Sequence, residues 1–281
     1  MPDGHDLPPD ITFAKRWTAR REFKLRPHDL LFNPQEFGAD VIPERLARPF
    51  VEAEHYARSY PAGRIAFGLF RKSGVAASEL AGVAVISVPM NQNAVPKYLG
   101  LAPNSGAEIG RFVLKPEVAF NGESWFLARC LKLLKSERPD IRGLISYADP
   151  LERTDSLGRI TKPLHIGGIY QASNARFAGR SGRRTIILAP DGSIVSERTL
   201  SKIRNEERGV NYAVRDFLAT GASPRRPGED MRDWVRRALE DPSFRRLRHP
   251  GNFVYLFALD REAKALAAER NPALLAYPKA A

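Results

Sequence analysis

The sequence predicts an α/β fold of the α+β kind, a central mixed sheet flanked by helices, and three observations carry that prediction. β-rich runs such as RIAFGLFR, LAGVAVISV, LISY and GNFVYLFALD are separated by amphipathic helical stretches. Apolar residues make up 43% of the 281 positions, enough for a sizeable core. The stretch from Leu144 to Arg180 passes from a strand through a polar loop into a helical pattern, and it holds Tyr147, Asp149, His165, Tyr170 and Asn174. Polar groups at strand C-termini beside a following helix are where open α/β sheets bind ligands, which makes this stretch the default site.

The elements follow in chain order. MPDGHDLPPD is expected to be disordered, and Phe23 to Phe32 reads as a first strand ended by Asn33-Pro34. Pro43 opens a helix over ERLARPFVEAEHYARSY, interrupted or restarted at Pro49, on which His55 and Tyr56 would stand about 100° apart. RIAFGLFR and LAGVAVISV make a hairpin across KSGVAASE, and EIGRFVLKP is a strand that sets Arg111 among apolar neighbours. EVAFNGES then leads into an amphipathic helix, WFLARCLKLLKSE. Asn121, Gly122, Glu123 and Ser124 crowd its start, where unpaired N–H groups and the helix dipole attract anions. Ordinary capping by Asn121 or Ser124 accounts for the same composition.

LISY has the character of a buried strand, and ADP closes it, so the strand delivers Asp149 to its C-terminal edge. Gly167-Gly168 lets backbones approach closely, and a short helix is expected through Ile169, Ala172, Asn174 and Ala175. Arg176, Arg180, Arg183 and Arg184 recur after it at helical spacing. TIILAPDGSIVSER reads as a hairpin about Pro190-Asp191-Gly192, and RTLSKIRNEERGVNYAVRDFLATG as a helical pair broken at Gly209. MRDWVRRALEDPSFRRLR is a basic helical region, GNFVYLFALD a late strand, and REAKALAAERNPALLAYPKAA a peripheral helix and tail. The expected organisation is one catalytic domain over 11–260, with a basic helical elaboration near 198–250 and a tail over 261–281.

Net charge is +12, which favours a polyanionic partner without selecting one. Distribution is more telling. Lys15, Arg16, Arg20, Arg21, Lys24 and Arg26 are opposed only by Glu22, and Arg176 to Arg184 contains no acid; each run also reads as a solvated face. The single cysteine, Cys130, excludes an internal disulfide and reads as core packing, since nothing nearby in sequence would stabilise its thiolate. No apolar run approaches the length of a membrane span, and the acidic N-terminus lacks a leader's apolar core, so a cytoplasmic protein with no membrane partner is expected. Zinc, Walker-type and dinucleotide fingerprints are not found.

This order of strands and helices resembles the Gcn5-related N-acetyltransferase fold. The resemblance implies that EIGRFVLKP is the central strand, Asn121 to Ser124 the turn that cradles acyl-CoA pyrophosphate, and LISYADP the strand that splays away to admit the acyl chain. The family's glycine-rich turn is reduced here to Gly122. More specifically, EHY, GRFVLKP with NGES, SYADP, and HIGGIYQASN followed by AGR resemble the Mom family of DNA-modification proteins, over roughly residues 23–260. Membership implies a phage or prophage protein that converts the N6 amino group of adenine in double-stranded DNA to a carbamoylmethyl derivative, protecting it from restriction, with acetyl-CoA and iron as cofactors. The loop LERTDSLGRITKPL is longer than is usual in that family.

Adenine N6 is a poor nucleophile because its lone pair is delocalised, so it needs a positioned base or a reactive electrophile. His55 is the candidate base, Tyr170 the candidate acid for a departing thiolate, and Arg111 a partner for a carboxylate, a phosphate or Asp149. His55, Tyr56, Asp149 and Tyr170 together make a hard nitrogen and oxygen set suited to iron, although turn capping accounts equally well for Asp149. Tyr147 and Asn174 are candidates to stack on or hydrogen-bond a flipped base, and Arg176, Arg180, Arg183, Arg184 and Lys202 to hold phosphates. Two other readings stay open: an ordinary N-acyltransferase acting on a protein or small amine, and a non-catalytic DNA-binding protein.

Overall fold

A computed structural model describes residues 14–19, 21–25, 32–72 and 78–279. The expectations for the first ten residues, for Arg20 and Arg26, and for most of the predicted first strand lie outside them. Strands β1 (Ala14–Thr18) and β2 (Arg21–Leu25) pair as an antiparallel hairpin. Then come β3 (Phe37–Ile42), α1 (Glu44–Glu54), β4 (Gly63–Arg71), β5 (Glu79–Ser87), β6 (Gly106–Leu114), α2 (Gly122–Glu137) and β7 (Gly143–Ala148). The short pair β8 (Arg153–Thr154) and β9 (Ile160–Lys162) follows, then α3 (Gly168–Ala172), β10 (Arg176–Arg180) and β11 (Arg184–Leu188). Helices α4 (Glu197–Arg204), α5 (Val210–Ala219) and α6 (Met231–Ala238) precede β12 (Arg245–His249), β13 (Phe253–Ala258) and α7 (Arg261–Arg270). No described helix is long and apolar enough to cross a membrane.

These elements form two compact units, one of Met1–Ala148, Ile166–Gly179 and Phe253–Ala281, the other of Asp149–His165 and Arg180–Asn252. The second is wider than the elaboration expected near 198–250, because β12 is a strand that pairs with β11 rather than a continuation of the preceding helix.

In the first unit seven strands lie in the order β10-β13-β7-β6-β5-β4-β3. The ladders from β3 to β6, and that of β13 on β7, are antiparallel; β6 and β7 are parallel. One face packs Ala107, Ile109, Leu144 and Phe257 against Phe126, Leu127, Cys130 and Leu134 of α2, with Tyr170 of α3 in the same cluster. On the other face Ile145, Val254 and Leu256 meet Ala263 and Ala267 of α7, and Val83, Val85 and Val113 meet Ala47 and Val51 of α1. Cys130 is buried, as expected.

Two irregularities shape the middle of this sheet. β6 and β7 pair only at Gly106↔Gly143, Ala107↔Leu144 and Glu108↔Ile145, although β6 runs on to Leu114 and β7 to Ala148, so they part toward their C-terminal ends. The β5–β6 register also slips, Val85 facing Arg111 while Ile86 faces Ile109, which leaves Gly110 as a bulge. A Cβ on Gly110 would stand 2.3 Å from the Ser87 hydroxyl, which is why glycine occupies it.

Several local expectations are corrected. Pro49 lies inside α1 without ending it, and the helix stops at Glu54 with His55 as an extended C-cap, so His55 and Tyr56 are not two positions of a helix. Asn174 adopts a left-handed φ of 57° that ends the α3 turn, and Arg176–Arg180 is a strand, so its arginines do not share a helical face. The Pro190-Asp191-Gly192 turn forms, but the run after it meets β11 in one isolated bridge, Leu188↔Ile194, with the Val195 N–H donating to the Ile187 carbonyl at 2.9 Å, and the ladder goes to β12 instead. Strand β3, between the predicted first strand and helix, was not foreseen. The helical pair about Gly209, the hairpin of β4 and β5, and α7 match the reading.

The second unit builds its own core from Leu200 and Ile203 of α4, Ala213 and Phe217 of α5, and Trp234 and Val235 of α6. Trp234 is fully buried, and its indole N–H donates to the Ser223 carbonyl at 2.8 Å, so burial leaves no donor unpaired.

Gly167 tests the packing of the first unit directly. It has φ +85°, and an added Cβ would lie 2.3 Å from the Tyr255 ring. Gly167→Ala therefore combines backbone strain with overpacking and should cost about 2–4 kcal/mol in urea unfolding. A loss below about 0.5 kcal/mol would show that the ring is free to move.

Candidate functional site

The parting of β6 and β7 collects the reactive side chains of the first unit. Tyr170 comes from α3 on one face, while Glu108 and Arg111 come from β6 and His55 and Tyr56 from the end of α1. The His55 and Tyr56 rings lie 4.3 Å apart, and His55 Nδ1 accepts the Ala57 backbone N–H at 3.1 Å, which leaves Nε2 as the nitrogen that carries the proton of the neutral ring. Arg111 donates through Nε to the Ser59 carbonyl at 2.9 Å and through Nη2 to the Ser59 hydroxyl at 2.9 Å. It also donates to the carbonyl of the bulged Gly110 at 2.6 Å, so the bulge and the loop after α1 fix the guanidinium together.

Glu108 is a candidate functional residue that the sequence reading missed. It lies at the last position of β6 that pairs with β7, and burial pushes its carboxyl up to about 7, against the pull of Arg111 and of the Met90 backbone N–H. Burial likewise lowers the Arg111 pKa, with Tyr56 and Glu108 acting in the other direction. The Tyr170 phenol is raised far above its ordinary range by burial, against the Ser146 hydroxyl. Tyr147 is raised for the same reason, with the Glu108 charge adding to it. The result is a carboxyl able to exchange a proton near neutrality, beside phenols that hold theirs. The only sequence signal for it was an acid alone among apolar residues in EIGRFVLKP.

The expected pyrophosphate turn has a different local logic. Asn121 is left-handed at φ 71° and makes no side-chain cap, and the Ser124 hydroxyl donates to the Asn121 carbonyl at 3.1 Å. Ordinary capping by these side chains is thus not what shapes the turn. Gly122 is buried, with space for a Cβ filled by Val118 at 2.5 Å and Phe32 at 3.0 Å. Glu123 is paired through Arg16, whose Nε lies 2.7 Å from its carboxylate. The same guanidinium donates to the carbonyls of Lys115 at 2.8 Å and Pro116 at 3.3 Å, and to that of Val118. Arg16, read from sequence as part of a basic run, is 6% exposed and staples the β6–α2 connection.

Asp149, expected beside the residues above, belongs to the second unit. Its Oδ1 accepts the Leu151 N–H at 2.9 Å, closing the turn, and lies 2.9 Å from Nε2 of His249. Arg153 reaches Oδ2 at 3.3 Å, and the Lys162 ammonium lies 3.5 Å from Oδ1. Lys162 also donates to the carbonyls of Asp149 and Leu151. Burial opposes the Asp149 charge, but Lys162, the Leu151 N–H, Arg153 and His249 together hold its pKa below the ordinary value. Lys162 is itself brought down to about 8 by burial, against the attraction of Asp149. His249 accepts the Gly251 N–H at Nδ1, so its Nε2 carries the proton given to Asp149. Nearby His165 is lowered to about 4 by burial and by Lys162. Turn capping and charge pairing both apply to Asp149, and the hundred residues separating it from His249 hid that contact from the sequence.

The other expectations divide. Asn174 is exposed at its turn, and Tyr147 is half-buried at the end of β7. Arg176 donates to the Asn271 carbonyl, a structural role. Arg180, Arg183 and Arg184 are exposed, and Lys202 is half-buried on α4. Among the described residues no group of three or more His, Cys, Asp or Glu is placed to hold a metal ion. Of the four donors expected for iron, Asp149 is already paired with Lys162, Arg153 and His249.

Fold and site define an α/β protein whose central strands part beside a half-buried carboxyl and a buried phenol. The chain belongs to the Mom protein family, whose model matches residues 36–279. It is 28% identical over 182 residues to the methylcarbamoylase Mom of Escherichia phage Mu, covering 64% of this chain and 68% of that protein. The crystal structure of malonyl-CoA decarboxylase from Rhodopseudomonas palustris matches at 11% identity and a TM-score of 0.33, over 84% of this chain. The match spans 59% of the decarboxylase chain, and at that score it carries no argument about this fold.

Glu108 makes the site costly to the fold, with a sign that can be measured. Its folded carboxyl binds a proton more tightly than the unfolded one, so its contribution to stability falls as pH rises from about 4.5 to about 7. Glu108→Gln removes that loss and should be more stable than wild type by about 3 kcal/mol at pH 8, with no such gain at pH 4. Equal stability at both pH values would mean that the carboxyl is not desolvated.

Proposed function

We propose that this protein modifies the N6 amino group of adenine in double-stranded DNA, converting it to a carbamoylmethyl derivative with acetyl-CoA as the carbon donor. The observation that carries the reading is the site of the first unit: Glu108, Arg111, His55, Tyr56 and Tyr170 gathered where β6 and β7 part, in a chain of the Mom family. A parallel strand pair that separates after three residues, beside a glycine bulge, supports an acyltransferase-like arrangement in which an acyl chain enters between the strands.

Each residue then has a proton-level role. Glu108, with its carboxyl near 7, accepts the N6 proton, a task that the sequence alone assigned to His55. His55, stacked on Tyr56, presents its Nε2 proton as a donor. Tyr170 keeps its proton at neutral pH and supplies it to a departing thiolate. Arg111, fixed by Ser59 and Gly110, places positive charge where an oxyanion or phosphate would lie. Tyr147 offers a ring to the extruded base, since N6 in a duplex lies in the major groove and is poorly placed for attack from a cleft. Atom balance sets two further requirements: the amide nitrogen comes from an ammonia-level donor other than adenine N6, displacing the CoA thiolate, and replacing a methyl C–H by a C–N bond is a two-electron oxidation, so the reaction also consumes an external two-electron oxidant that the side chains named here do not provide. Iron would supply redox chemistry if bound, but no step here is routed through it.

Nucleosides from the DNA of cells expressing the wild type should contain a modified deoxyadenosine by mass spectrometry, and the purified protein should bind acetyl-CoA saturably. Tyr170→Phe should lose at least about 99% of the product while keeping DNA and acetyl-CoA affinity within about twofold. Only the four normal nucleosides, from cells holding soluble protein that binds acetyl-CoA, would return the assignment to ordinary N-acyl transfer.

A further inference from the structure

The two-stranded ribbon of β11 and β12 has faces of opposite character. Residues directly opposed in an antiparallel pair share a face. The pairs Arg184↔His249, Ile186↔Leu247 and Leu188↔Arg245 define one face, where Ile186, Leu188 and His249 are buried. It is anchored at both ends of β12: Arg245 donates to the Thr154 carbonyl and, at 3.2 Å, to the Thr154 hydroxyl, while His249 meets Asp149 at 2.9 Å. The pairs Thr185↔Arg248 and Ile187↔Arg246 define the other face. There Ile187 is half-buried against the helical core, while Thr185, Arg246 and Arg248 are exposed, as is Arg183 just before β11.

Arg183, Arg246 and Arg248 lack the carboxylate partners that three other exposed arginines of the same unit have. Arg236 pairs with Asp233 at 2.7 Å, Arg198 with Glu207 at 3.0 Å and Arg159 with Asp155 at 2.7 Å. No described carboxylate pairs with any of the three ribbon arginines, and neither RTIIL nor RRLRH contains an acid.

We propose that this outer face is a contact surface for double-stranded DNA, with Arg246, Arg248 and Arg183 neutralising phosphates. It rests on the DNA-modification reading above and names the surface that would hold that substrate. Alternate residues of a strand stand about 6.8 Å apart, so Arg246 and Arg248 project side by side, and a two-stranded ribbon fits a major groove about 12 Å wide. The anchors at Arg245 and His249 hold the ribbon before DNA arrives, which lowers the ordering cost of binding. Arg176 and Arg184, grouped with these by sequence spacing, do not belong to this face: one donates to the Asn271 carbonyl, the other lies on the face of His249.

The test is the salt dependence of duplex binding, read by fluorescence anisotropy for wild type, Arg246→Ala with Arg248→Ala, and Arg236→Ala. The double variant should bind ten- to a hundredfold more weakly at about 0.1 M salt, and its slope of log Kd against log salt should fall by about 1.8, roughly 0.9 per lost phosphate contact. Arg236→Ala should match the wild type. If the alanine variant is misfolded by circular dichroism, Arg246→Gln with Arg248→Gln keeps the stems and should show the same loss. An unchanged slope in a folded variant overturns the proposal, as does tighter wild-type binding to single-stranded RNA than to the duplex. A wild type that binds with the expected slope but yields only normal nucleosides would instead sink the catalytic reading and leave this surface standing.

Discussion

Three residue pairs hold β6 to β7, and the site of the first unit depends on there being no more. A parallel ladder continued to Leu114 and Ala148 would pair the backbone on which Glu108 and Arg111 now stand at the edge of a gap. The bulge at Gly110 adds to this, since a slip of one residue puts Glu108 and Arg111 on the same side of the sheet, where a regular strand would separate them. Burial then raises the Glu108 carboxyl. Topology thus tunes the chemistry, at a cost in stability.

The second unit uses buried charge differently. Asp149 is surrounded by Lys162, Arg153 and His249, and breaking one partner of such a set leaves the others uncompensated. The arrangement fixes the turn after β7 and one end of β12 together. Tautomer control is explicit in it, because the Gly251 N–H holds the His249 proton on the nitrogen that faces Asp149. A separate helical core around Trp234 supports this unit.

Much of the fold was legible wherever period and turn chemistry agreed. β4, β5, β7 and β13 are apolar runs bounded by turn residues, and the Gly209 break between α4 and α5 appears at φ +87° as a left-handed turn. The reading failed where a long-range partner decided the outcome. RRLRH looks like helix or loop until β11 lies beside it, and arginines at helical spacing from Arg176 are divided by a strand. The site was half legible. His55, Tyr56, Arg111 and Tyr170 were named from their types, order and family resemblance, whereas the settings of Glu108 in the first unit and of His249 beside Asp149 in the second come from burial and distant neighbours, which sequence spacing does not report.

The central claim is that Glu108 is the proton acceptor in the cleft of the first unit. The single-turnover rate of adenine modification, at saturating acetyl-CoA and duplex DNA, tests it across about pH 5.5 to 9. Because the base form is the ionised carboxylate, the wild-type rate should rise with pH and level off above about 7, and Glu108→Gln should be slower by at least about a hundredfold with that rise absent. A Glu108→Gln enzyme that keeps the wild-type rate and the same titration near pH 7 would contradict the account.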